Sequence, residues 1–188
     1  LKARDWGAGA VLNNHDRTLN QNSAIATALH DLDDLSKPVK TVERAVPIDW
    51  TDYNGHMNEA RYLQAFGDAT DQLMLIVGCT PEYIASGGSY FTAETHIRHL
   101  DEVHAGARIR VETQILMGEG KKMHLFHRMF EGDRELATGE HMLIHVSLET
   151  RKPSNPSTQI EANLKRIANG HAALDRPSAA GASVGVRA

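Results

Sequence analysis

The chain is 188 residues long, enough for one ordinary domain with some additional chain, or two very small domains at most. Its 41% hydrophobic and 23% charged residues are those of a folded globular protein and exclude wholesale disorder. Twenty basic against 24 acidic side chains give a net charge of -4, which excludes a protein that coats nucleic acid or an anionic membrane by charge alone.

Residues 1–40 are polar and weakly patterned, with Ile25, Leu29, Leu32 and Leu35 at helical spacing until Pro38 ends the run. This segment reads as an N-terminal arm or linker. Thr41–Ile48 predicts a first strand, and the turn formers of Asp49–Gly55 predict a loop. Asn58 is placed to cap a helix of about five turns, on which Ala60, Leu63, Phe66, Ala69, Leu73, Met74 and Val77 form one apolar face. Gly78 is its natural stop. A helical turn opened by Pro81 closes at Ser86-Gly87-Gly88. Tyr90–Leu100 alternates loosely, whereas Ala107, Ile109, Val111, Ile115 and Met117 stand opposite Arg108, Arg110, Glu112 and Gln114 with a strand period. Hairpin turns at Gly118-Glu119-Gly120 and Glu131-Gly132-Asp133 separate strands Lys122–Phe130 and Arg134–Leu148. A long helix followed by strands joined by short turns predicts an α+β fold with an antiparallel sheet, not a βαβ alternation. Pro153-Ser154-Asn155-Pro156 ends the sheet, and Ile160, Leu164, Ile167 and Ala168 predict a last helix. From Asp175 onward the chain reads as a flexible tail. The division is therefore 1–40, 41–150 and 151–188.

Histidine is in surplus: 11 residues against two Trp, four Tyr and four Phe. Imidazole is a common general base and metal ligand, so the surplus asks for a chemical reading. The spacing answers against a metal. No H-E-x-x-H occurs. His96/His99 and His124/His127 are three apart on strands and point to opposite faces; His141 and His145 share a face but lack a third ligand. No metal site is expected, and most histidines read as satisfied sheet or interface residues. Cys79 is the only cysteine, which rules out an internal disulfide and fits a cytoplasmic setting. No run of about 18 apolar residues predicts a membrane span.

The informative stretch is Asp52-Tyr53-Asn54-Gly55-His56-Met57-Asn58. It sets a carboxylate, an imidazole and an amide beside a helix N-terminus, whose free N–H groups can stabilise an oxyanion. A carboxylate there can act as base or nucleophile. The plain alternative is a polar loop whose Asp and Asn only cap turns and the helix.

The pattern Asp52-x-x-Gly55-His56-x-Asn58-x-x-x-Tyr62-Leu63 resembles the signature of hotdog-fold acyl-CoA thioesterases of the 4-hydroxybenzoyl-CoA thioesterase group. The resemblance covers about residues 41–150 and implies a long helix wrapped by a curved antiparallel sheet. It also implies a homodimer or higher homo-oligomer, with sites at the dimer interface. It makes Asp52 the catalytic carboxylate, attacking the thioester or activating water, and places His56 and Asn58 at the remaining motif positions. No cofactor is implied beyond the coenzyme A of the substrate.

A narrower resemblance, to the thioesterase portion of fused L-carnitine dehydrogenase/betainyl-CoA thioesterase proteins, rests on Val46–Asn58 and Tyr90–Ile97. It implies hydrolysis of betainyl-CoA in carnitine degradation; the alternatives are a thioesterase for another short-chain or aromatic acyl-CoA, or a non-catalytic hotdog module that binds acyl-CoA or dimerises a fused enzyme. Leu1–Asn20 resembles the end of a dehydrogenase half, and the absence of an initiator Met agrees with a covalent fusion. No dehydrogenase activity carries over, because Gly7-Ala8-Gly9 is not a G-x-G-x-x-G turn. A trimethylammonium group donates no hydrogen bond and is held by aromatic faces and negative charge. Trp50, Tyr53, Tyr90 and Phe91 are the candidate walls, with Glu94 as counter-charge or second acid. Strand alternation puts Tyr90, Thr92, Glu94, His96 and Arg98 on one face. Lys121 and Lys122, or Arg98 and Arg128, are candidates for CoA phosphates.

Overall fold

The long helix is fixed at both ends by its own sequence. Asn58 caps it, its side-chain oxygen accepting the Ala60 N–H at 3.0 Å, and Gly78 ends it in a left-handed conformation at φ +101°. A computed structural model describes residues 34–185 of the chain. Its elements are β1 (Val39–Ala45), a 3-10 turn (Ile48–Trp50), α1 (Glu59–Val77), α2 (Pro81–Ala85), β2 (Gly88–His99), β3 (Arg108–Glu119), β4 (Lys122–Glu131), β5 (Arg134–Ser147) and α3 (Thr158–His171). The first strand ends earlier than its pattern predicts because Pro47 has no N–H for the ladder and Ile48–Trp50 coil into the turn. The predicted arm, apart from residues 34–40, lies outside the described residues.

The five strands form one antiparallel sheet in the order β1-β3-β4-β5-β2. The β3–β4 and β4–β5 turns carry Gly120 and Gly132 at φ +54° and +56°, positive at the first turn residue only, as two-residue hairpin turns with leading glycine require. The sheet wraps α1, whose Tyr62, Ala65, Phe66, Ala69, Thr70, Leu73 and Val77 are buried. The buried stripe is rotated from the predicted one: Leu63 is 46% exposed and Ala60 is exposed, while Tyr62 and Ala65 face inward. Gly139 lets the sheet approach closely, since a Cβ there would stand 2.7 Å from the Phe66 ring. α3 packs Ile160, Leu164 and Ile167 beside Leu73 and Val77 at the far end of α1, and Asn163 donates to the Val77 carbonyl. Residues 175–181 lie across the outer face of the sheet, with Gly181 N–H on the Glu140 carboxylate. Among the described residues no helix is long and apolar enough to cross a membrane.

Part of the histidine surplus is structural. His127, His141, His145 and His171 are buried. Thr70 Oγ1 donates to the Phe66 carbonyl and so accepts from His127 Nε2–H; His127 Nδ1 then accepts from Thr113 Oγ1, which meets Thr41 Oγ1. His145 donates Nδ1–H to the Ser154 carbonyl at 2.9 Å and meets the Tyr83 hydroxyl through Nε2 at 2.8 Å. These rings are thereby fixed as neutral imidazoles. Burial lowers the pKa of His141 to about 4, and burial, with the neighbouring His141, holds His127 well below the ordinary value.

These depressed values set a pH dependence. An unfolded histidine protonates near pH 6.5, so on acidification the unfolded chain takes up protons first. The folded chain loses stability from about pH 6.5 down to the folded value near 4, with His141 alone contributing on the order of 3 kcal/mol across that window. The urea midpoint at pH 5 should fall well below that at pH 7, and His141→Gln should shrink the difference. An unchanged difference in the variant would remove His141 from this account.

Candidate active site

The loop entering α1 is a closed backbone structure. Thr51 bridges Met57, Asp52 N–H donates to the His56 carbonyl at 2.9 Å, and Gly55 N–H returns to the Asp52 carbonyl at 3.0 Å. The turn needs φ +79° at residue 55, which glycine supplies. Asp52 Oδ1 accepts the N–H groups of Asn54 (2.8 Å) and His56 (3.3 Å), an Asx turn. Among the described residues Oδ2 takes no hydrogen bond. One carboxylate oxygen therefore holds the loop while the other is uncommitted among the described residues, at a half-buried position.

A second segment, residues 101–107, grips this loop. Met57 N–H donates to the Val103 carbonyl at 2.7 Å, His56 bridges His104, and Val46 N–H donates to the Ala107 carbonyl at 2.9 Å. Val103 and Met57 are buried in a cluster with Trp50, Tyr62 and Phe66. His56 Nδ1 stands 3.3 Å from Glu102 Oε2, and its ring packs edge-on against His104 at 4.6 Å. His104 Nδ1 is 3.1 Å from the Gly55 carbonyl. Glu102 and His104 were not legible as neighbours of this loop, being 46 and 48 positions from His56 in a different connection.

The sequence-predicted residues separate into groups. Asp52 and His56 share the loop. Asn58 follows it, but its side chain is committed to the α1 cap. Trp50 is buried behind Asp52, and its ring is already covered by the Arg44 guanidinium at 4.1 Å, with Arg61 at 5.7 Å. Tyr53 projects at the tip, 97% exposed. Tyr90 lies elsewhere, buried with Val77, Cys79 and Leu143 at the opposite end of a helix roughly 28 Å long. Burial raises its hydroxyl pKa. Within one chain the four aromatics do not converge.

The shared face predicted along β2 also fails. Ala93 is an unpaired bulge residue between Thr92, opposite Leu143, and Glu94, opposite Met142. A bulge adds one residue and reverses the alternation beyond it. Tyr90 and Thr92 face α1 along with Thr95, Ile97 and His99, and His99 meets the Tyr62 ring. Glu94, His96 and Arg98 face outward, with Met142, Glu140 and Thr138. Phe91, opposite Ile144, is also outward and 44% exposed. On that outer face a cavity of about 380 Å³ is lined by Arg98, Gln114, Arg128, Glu135 and the returning chain at 175–179. It includes none of the Asp52 loop. Arg128 is paired bidentately to Glu135, and Lys121 and Lys122 are exposed at the β3–β4 turn.

A family model described as the thioesterase-like superfamily matches residues 46–164. The chain belongs to that superfamily. The matched span begins just after β1 and runs into α3, so it covers the Asp52 loop, α1 and the 101–107 segment. The chain is similar to an L-carnitine dehydrogenase/betainyl-CoA thioesterase of Ruegeria pomeroyi, 64% identical over 186 residues that cover 98% of this chain and 37% of that protein. It thus spans little more than a third of that relative. It is also similar to a betainyl-CoA thioesterase of Pseudomonas aeruginosa, 37% identical over 155 residues, which cover 81% of this chain and 98% of that one. Among solved structures, a protein of Pseudomonas putida KT2440 described as a candidate thioesterase superposes with a TM-score of 0.69 at 32% identity, covering 80% of this chain and 98% of its own. A Staphylococcus aureus protein solved with CoA gives 0.74 at 20% identity, with the same coverages, a likeness of fold alone. The hotdog architecture expected from the Asp52 motif is therefore the observed one.

Proposed function

We propose that this chain hydrolyses an acyl-CoA thioester, with betainyl-CoA as the substrate and glycine betaine and CoA as products. The observation that carries the reading is the divided carboxylate of Asp52: Oδ1 bonded to two backbone N–H groups, Oδ2 without a donor. Such an oxygen, held in a loop leading into a helix start, can attack a thioester carbonyl or take a proton from an attacking water. His56 brackets it through its own N–H and C=O, so its role is to hold the Asp52 backbone and its exposed edge. Asn58 serves the reaction indirectly by fixing where α1 starts. The chemistry uses this carboxylate, water and the substrate's own CoA, with no resident cofactor. The choice of acyl group draws on the relatives in Ruegeria and Pseudomonas aeruginosa, whose names carry betainyl-CoA. We read the chain as the counterpart of the thioesterase part of such fusions, and an acyl-CoA substrate together with the single buried Cys79 supports a cytoplasmic reaction.

The acting unit is a homo-oligomer paired through β2. That strand is a sheet edge, and Phe91, Thr92, Ala93, Glu94 and Thr95 are all exposed, so neither face of this stretch is covered and its outer backbone edge is open. An open edge with exposed apolar surface is a template for pairing with another strand. A site completed by a second copy also accounts for why Trp50, Tyr53, Tyr90 and Phe91 do not surround one cation within a chain.

Substrate profiling tests the acyl assignment. Because a cation–π contact contributes about 0.5–2 kcal/mol, kcat/KM for betainyl-CoA should exceed those for acetyl- and benzoyl-CoA by about two- to thirtyfold per contact. Equal values would defeat the betainyl reading while leaving a thioesterase. Light scattering after size exclusion should give a dimer or a multiple of it, and Phe91→Lys with Thr95→Lys should shift it toward monomer and lower hydrolysis. A monomeric, fully active wild-type chain would contradict the shared site.

A further inference from the structure

The geometry points to a binding site for a divalent first-row transition-metal ion, of which zinc is representative, made by His56, Glu102 and His104. One ligand atom from each of the three side chains lies within 4.8 Å of the others. The distances within the group match what such an ion asks for. Two ligands on one tetrahedral zinc, at bond lengths of about 2.0–2.2 Å, stand roughly 3.3–3.5 Å apart. His56 Nδ1 and Glu102 Oε2 are 3.3 Å apart, too long for a strong charge-assisted hydrogen bond and right for two ligands of one ion.

The third ligand is oriented by the backbone. A carbonyl oxygen can only accept, so the 3.1 Å contact of His104 Nδ1 with the Gly55 carbonyl puts the proton on Nδ1. Nε2 then carries the lone pair. A histidine whose second nitrogen donates to a backbone carbonyl is the usual metal-binding arrangement, since that bond sets tautomer and ring orientation. The antiparallel bridge between His56 and His104 holds the two residues side by side from separate segments, so the group is partly preorganised. All three side chains reach solvent, which gives an ion a path of entry and leaves water to complete its coordination.

The ligand set selects the ion. Two imidazoles and one carboxylate suit zinc, cobalt, nickel or copper, whereas magnesium and calcium prefer all-oxygen shells. The site is also placed to affect the loop. His56 donates its backbone N–H to Asp52 Oδ1, so an ion held by its ring is anchored to the turn that carries the proposed reacting carboxylate. This coupling to turnover, unlike the binding itself, rests on the function proposed above, and it predicts that zinc lowers hydrolysis.

The test begins with the full chain freed of metal by a chelator. Zinc chloride titrated by calorimetry should show one site per chain, and cobalt(II) should gain visible absorption as it enters a non-octahedral site. His104→Ala and Glu102→Gln should each weaken zinc binding at least about tenfold. Absence of a site up to millimolar zinc would overturn the proposal. A site unchanged in both variants would do the same, by placing the ion on other histidines of the 11 in the chain. Rates with and without zinc, taken as a ratio within each protein, should fall below one in the unmodified chain and return toward one in His104→Ala. Calorimetry and cobalt absorption read binding whether or not betainyl-CoA is the substrate, so failure of the metal site and failure of the thioesterase reading are separable.

Discussion

The bond from Met57 N–H to the Val103 carbonyl, 2.7 Å long, ties together the two connections that carry Asp52, His56, Glu102 and His104. One runs from β1 into α1; the other runs from β2 into β3. Each has little regular structure of its own, and a loop in isolation pays the full conformational cost of being ordered. Zipped to each other, they bury Met57 and Val103 against Trp50, Tyr62 and Phe66, so the loop is seated on the same cluster that fills the sheet. That seat allows one oxygen of Asp52 to be spent on the turn and the other to remain uncommitted.

The rest of the molecule holds this seat in place. The sheet keeps α1 close through Gly139 and Phe66, and the buried Thr41–Thr113–His127–Thr70 chain links β1, β3, β4 and α1 by hydrogen bonds that hold only while His127 is neutral. Stability at neutral pH and an ordered loop thus share a dependence on unprotonated core histidines. The far end of α1 is fastened by α3, away from the chemistry. The entry to α1 is tied to a second connection, while the outer edge of β2 is unpaired among the described residues.

Element types were legible because each local signal agreed with the global fold. The Asn58 cap, the Gly78 stop, the two glycine turns and the alternation of β3 all act within a few residues. The Asp52 loop was legible as a turn for the same reason, whereas its reading as a reactive motif came from the resemblance. What the sequence concealed depended on distant contacts. The bulge at Ala93 leaves no composition signal, yet it turned Glu94 away from Tyr90. The burial of Tyr90 and the Arg44 guanidinium over Trp50 follow from packing between elements far apart in the chain. Spacing along single strands could not reveal that His56 and His104 meet across two connections. Among the others, His127, His141, His145 and His171 are core residues.

The central claim is that the uncommitted oxygen of Asp52 carries the reaction, and the most direct measurement is hydrolysis by Asp52→Asn with CoA binding followed in parallel. Asn keeps a side-chain oxygen able to accept the Asn54 and His56 N–H groups, so the turn survives while the carboxylate is lost. The account predicts that kcat falls by on the order of 10²–10⁴-fold with CoA affinity nearly unchanged. Hydrolysis at the unmodified rate in a folded Asp52→Asn chain would contradict it.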